Sequence, residues 1–193
     1  PPPTGWTRGP DRTVMVEAAD VAGNKLAPVI GANYLVKLEF DNFQAAEVVI
    51  GQAGFTGQSG GTAADKLSGP HGNPAVTPDG KLFIAEYENN RVLAFGAIPT
   101  VNGASASFVL GQPGFTTNDD VTARGSHPGP QQPPTAAGRL PVADYSANRV
   151  VIYGSIPSNG SAEPSVVVGQ SDFDSEDSGC TDSRLNGPEA VSA

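Results

Sequence analysis

Three Gly-Pro pairs, Gly69-Pro70, Gly129-Pro130 and Gly187-Pro188, are each followed by a different polar residue: His71, Gln131 and Glu189. Imidazole and carboxylate are ordinary metal ligands, so this trio is a candidate ligand or metal site. His127, beside Pro128, is the second of the chain's 2 histidines, and a His71/His127 pair would sharpen a metal centre. A separate acidic group, Asp172, Asp174, Glu176, Asp177 and Asp182, falls within one short stretch. Hard oxygen ligands this close suit Ca²⁺, but their spacing is not that of an EF-hand loop. A solvated acidic loop is the plainer reading of that cluster, and a loop position the plainer reading of His127.

Two carboxylate–arginine pairs, Glu86/Arg91 and Asp144/Arg149, look like catalytic pairs. Their recurrence argues the opposite, because a residue that repeats serves what repeats. A strand-end carboxylate beside an arginine is expected to satisfy turn amides or a neighbouring unit. Asn89, Asn90 and Asn148 are turn residues by the same reasoning. The single cysteine, Cys180, can form no internal disulfide and has no zinc-type spacing around it. No GxSxG or HExxH motif occurs, and Gly57-Gln-Ser-Gly-Gly61 lacks the Lys-Ser/Thr of a phosphate loop. No catalytic residue is therefore assigned.

What positions these residues is an internal repeat. Val48-Val-Ile-Gly-Gln-Ala-Gly-Phe55, Phe108-Val-Leu-Gly-Gln-Pro-Gly-Phe115 and Val166-Val-Val-Gly-Gln-Ser-Asp-Phe173 match one another, with their glycines 60 and 58 residues apart. Lys81-Leu-Phe-Ile-Ala-Glu-Tyr-Glu-Asn-Asn-Arg-Val92 matches Arg139-Leu-Pro-Val-Ala-Asp-Tyr-Ser-Ala-Asn-Arg-Val150 at an offset of 58. Phe95-Gly-Ala-Ile-Pro99 then matches Tyr153-Gly-Ser-Ile-Pro157, and Asn102-Gly103 matches Asn159-Gly160. Each repeat offers four short strands: residues 75–77, 82–85, 91–95 and 107–110, split by turns at Pro78-Asp79-Gly80 and Glu88-Asn-Asn90. Strands this short, with turn signals this frequent, predict an all-β fold. The abundance of Gly (24) and Pro (18) fits many turns, and runs such as Arg91–Phe95 argue against disorder.

Gly-Pro-x-Gly, then Pro-Asp-Gly-x-Leu-Phe-Ile-Ala-Glu, then Asn-Asn-Arg-Val-x-x-Phe resembles the NHL repeat, best over residues 68–95 and well over 135–153. A fainter copy runs from Ala19-Asp20-Val-Ala-Gly23 to Asn33-Tyr-Leu-Val36. The resemblance implies a β-propeller of four-stranded blades, here spanning 14–55, 67–115 and 127–173, with 185–193 opening another. About three blades fall short of the four to eight of a closed ring, so the expectation is an incomplete propeller or one closed by oligomerisation. His71, Gln131 and Glu189 would then line the mouth of the central channel, solvated or ligand-bearing. The resemblance also extends to an amidating lyase that binds zinc through histidines of this region. Prolines at 28, 74, 133, 134 and 141 predict local breaks in the strands they enter.

A net charge of −9 disfavours nucleic acid and anionic membrane surfaces. No apolar run approaches the length of a membrane-spanning helix. The expected function is a non-enzymatic binding or scaffold module, on or outside a bacterial cell, presenting the loops after Gly51, Gly111 and Gly169 to a protein, glycan or small molecule. A metal-dependent lyase or hydrolase at the channel mouth, using Zn or Ca, is one alternative. A structural surface or filament protein is the other.

Overall fold

A computed structural model describes residues 45–131 and 138–191, with the backbone of two strands nearer the N-terminus. The chain divides into two bodies, Pro1–Ala45 and Ala46–Ala193. In the first, β1 (Trp6–Arg8) pairs antiparallel with β2 (Val14–Val16), Trp6 opposite Val16. β1 lies ahead of residue 14, where the repeat pattern begins the first blade. The faint copy around Gly23 and Asn33, with Pro28, lies outside the described residues.

The second body is all-β, with no helix among the described residues. Its first sheet has the order β3 (Ala75–Val76), β4 (Leu82–Glu86), β5 (Arg91–Phe95), β6 (Phe108–Leu110). Its second has the order β7 (Leu140–Asp144), β8 (Arg149–Tyr153), β9 (Val166–Val168). All neighbours are antiparallel, and the registers repeat: Glu86 opposite Arg91, Asp144 opposite Arg149, Val92 opposite Leu110, Val150 opposite Val168. The four strands expected in the first repeat are found within a residue or two of their predicted bounds. Pro133 and Pro134, where the second repeat would begin its first strand, lie outside the described residues.

The hairpin turns form because Asn90 and Asn148 take φ of 49° and 50°. Asparagine enters this left-handed region at lower cost than most side chains. Pro141 does not break its strand; it sits within β7 opposite Ile152. The reason is which way its missing N–H would point. Ala143, two residues on, offers its carbonyl to the Gln131 amide at 2.9 Å, away from β8. Alternation puts the Pro141 nitrogen on that same side, so the β7–β8 ladder loses nothing.

The two sheets stack through one apolar layer. Phe83, Val92, Ala94 and Leu110 of the first repeat meet Leu140, Val142, Val151 and Tyr153 of the second. The opposite face of the first sheet, Leu82, Leu93, Phe95 and Val109, packs against Ile50, Leu67 and Phe115. Neither sheet could bury both faces alone.

Candidate functional site

The loops after Gly51, Gly111 and Gly169 are closed by one set of contacts, used three times. These glycines have φ of 84°, 91° and 90°. A Cβ on Gly51 would lie 2.6 Å from Leu67 Cγ, one on Gly111 2.9 Å from His127 Cδ2, and one on Gly169 2.6 Å from Leu185 Cγ. Each loop's last residue thus sits directly on its first. Within the loop, the following glutamine donates its side-chain amide seven residues ahead: Gln52 to Ser59 O at 2.9 Å, Gln112 to Asp119 O at 2.8 Å, Gln170 to Asp177 O at 2.8 Å.

The repeated arginines hold successive loops together. Arg91 donates to the carbonyls of Thr62, Ala63 and Lys66 in the loop before its strand and to Phe115 in the loop after it. Arg149 donates likewise to Ala123 and Ser126 before and Phe173 after. The asparagines link repeats. Asn90 donates to Asn118 O and accepts from the Gly129 amide, while Asn148 donates to Glu176 O and accepts from the Gly187 amide.

Glu86 is fully buried and bound on both oxygens. Arg91 Nε reaches Oε2 at 2.5 Å, and the Ser68 amide and Asn89 Nδ2 both reach Oε1 at 2.8 Å. Burial pushes its carboxyl above the usual range, opposed by the hydrogen bond and charge of Arg91 and by the Ser68 and Asn89 donors. Asp144, equally buried, takes Arg149 Nε at 3.0 Å and His127 Nδ1 at 3.0 Å. The other ring nitrogen of His127, Nε2, lies 2.8 Å from the Tyr153 hydroxyl, so the imidazole bridges the carboxylate and the phenol. Burial, then the Asp144 charge, raises Tyr153 far above the ordinary tyrosine value, against the pull of Arg149.

These networks answer the sequence expectations one by one. Glu86 accepts the Ser68 amide, Asp144 has the His127 ring in its place, and both arginines bind loop carbonyls. His127 is a loop residue, but a fully buried one and no partner for His71: Asp144 and Tyr153 occupy both its nitrogens. His71 and Gln131 are equivalent, their amides donating to Ala85 O at 3.1 Å and Ala143 O at 2.9 Å. Their side chains differ in setting. His71 is exposed, with its ring 6.1 Å from that of Tyr87. Gln131 is buried, and its Oε1 has no hydrogen-bond partner among the described residues. Glu189 is exposed. Among the described residues no hydrogen bond or ion pair joins any two of the three, although Tyr87, beside His71, also lies under Gly129, two residues before Gln131.

The acidic stretch is parcelled out in the same way. Asp172 Oδ1 accepts from Ser175 Oγ at 2.7 Å and the Asp174 amide at 3.0 Å, closing its own turn and holding its carboxyl below the usual range. Glu176 accepts from Thr122 of the preceding loop at 2.6 Å, and Asp177 pairs with Arg184 at 2.8 Å. Among the described residues, no group of three His, Cys, Asp or Glu side chains is placed to hold a metal ion.

Sequence reasoning missed the glutamine clamps, although Gly-Gln recurs in all three motifs. It also missed Tyr153, whose signal was a hydroxyl where the first repeat has Phe95. Comparison with family models, curated proteins and solved structures finds no match to this chain.

Proposed function

We propose that this chain is a non-enzymatic binding module of stacked NHL-like, propeller-type repeats, whose loops after Gly51, Gly111 and Gly169 meet a protein, glycan or small-molecule partner. One observation carries the reading. The residues best suited to chemistry, the paired carboxylates and arginines with His127, are buried and spent on holding those loops, while the loop tips differ in sequence and face solvent. A fixed frame beneath variable tips is how binding residues are usually presented. Phe55 and Val121, each 56% exposed, are the apolar groups offered by two of these loops.

The test is a screen of the purified protein on glycan and peptide arrays, followed by titration of the best ligand against Phe55→Ser and Val121→Ser variants. Loss of binding by about tenfold, the equivalent of 1.4 kcal/mol, with an unchanged melting temperature, is the expected result. Tip variants that bind like the parent, or metal-dependent turnover abolished by His71→Ala, would transfer the reading to the lyase or hydrolase alternative.

A further inference from the structure

The way the second repeat covers the first defines what would cover the second. Phe83, Val92, Ala94 and Leu110 lie under the second repeat, Val92 and Leu110 at 0% and 1% exposure. The residues at their positions in the second repeat are Pro141, Val150, Ile152 and Val168. Val168 and Val166 are each 45% exposed, and Val150 and Ile152 only half-buried.

The sheet edge repeats the contrast. Val49, ahead of Gly51, gives its amide to Asn102 Oδ1 at 2.9 Å and its carbonyl to the Gly103 amide at 3.1 Å. The Asn-Gly loop of one repeat thus closes the outer edge of the segment before it. Gly160, of the next Asn-Gly pair, lies so close to the Val109 carbonyl that a Cβ would fall 2.8 Å from its oxygen. Val167 is the third member of the series, and among the described residues no Asn-Gly loop lies on it. Unpaired edges of this kind are ordinarily covered. The approach to such a cover is already laid down. Leu185 seats on Gly169 and Gly187 binds Asn148, as His127 seats on Gly111 and Gly129 binds Asn90.

We propose that the open face and edge of β7–β9 form a docking surface for a further repeat of this same kind, entering through Leu185–Pro188. Its Leu/Val/Val/aromatic face would lie on Val150, Ile152 and Val168, and its Asn-Gly loop on Val167. The proposal rests on the stacking of repeats and not on what the loops bind, so the two readings fail separately.

The experiment compares the 193-residue chain with one in which residues 130–191 are repeated after Gly187. Amide exchange at Val167 is expected to slow by about tenfold or more in the extended chain. Ile152→Asp should restore fast exchange there while leaving the melting temperature of the unextended chain within a few degrees. An added repeat that exchanges like a tail, with Val167 unchanged, overturns the proposal, because its sequence already folds one repeat earlier. Collapse of the unextended Ile152→Asp chain overturns it as well, since that face would then already be covered.

Discussion

The buried networks of the two repeats meet one requirement with different neighbours. Both must hold an arginine that gathers loop carbonyls from either side. The first repeat uses Glu86, whose second oxygen is filled by the Ser68 amide and Asn89. The second uses Asp144, one methylene shorter, and fills the second oxygen with His127, which in turn needs Tyr153. Four positions change together: Leu67 to His127, Glu86 to Asp144, Asn89 to Ala147 and Phe95 to Tyr153. Ala147 is fully buried, where an amide would have no carboxylate oxygen left to serve. Buried polar groups are exchanged as satisfied sets, because a half-satisfied set costs more than an apolar core.

That comparison can be broken at its common element first. Arg91→Met and Arg149→Met each leave a buried carboxylate unpaired, and each should cost about 3–5 kcal/mol in urea unfolding. Limited proteolysis should then cut the adjacent loops, 57–66 for Arg91 and 115–123 for Arg149.

The element that differs comes next. His127→Leu strands the Tyr153 hydroxyl and one oxygen of Asp144, at a cost of about 1–3 kcal/mol. In a Tyr153→Phe background the same change should cost less, with a coupling energy of about 0.5–3 kcal/mol by double-mutant cycle. The first repeat, with Leu67 and Phe95 at these positions, has no such coupling to lose.

Alkaline pH sharpens the contrast without mutation. The folded chain holds the Tyr153 proton more tightly than the unfolded chain does. Its contribution to stability is whole below the ordinary tyrosine value, about 10, and is lost as pH rises above it. Ultraviolet titration should show Tyr153 ionising only with unfolding, and Tyr153→Phe should flatten this alkaline loss. The smallest effect is at Asp172, whose carboxyl should titrate below the ordinary aspartate range by NMR. Its turn contributes stability that is present above the ordinary aspartate value and fades as pH falls through the lowered one.

Much of this was legible in the sequence, and unevenly so. Strands β4, β5, β7 and β8 were readable because dense apolar runs end in turn residues at a fixed spacing. The structural role of Glu86/Arg91 was readable because it recurs. His127 was not: beside Pro128, in a stretch without strand pattern, nothing local distinguishes a buried loop histidine from an exposed one. Only reading it against Leu67, together with Tyr153 against Phe95, shows two polar groups arriving at once. The burial of Gln131 was hidden for a related reason, since its equivalent His71 is exposed and the repeat alone predicts like settings for both. Pro141 was read as a break because sequence does not tell which side of a strand a missing N–H faces.

The most direct test of the account converts one network into the other. A chain carrying His127→Leu, Asp144→Glu, Ala147→Asn and Tyr153→Phe should unfold within about 1–2 kcal/mol of the parent, although the single changes His127→Leu and Asp144→Glu each cost about as much or more. A fourfold variant whose loss equals the sum of its single losses would contradict the claim that these residues form an exchangeable, purely structural set.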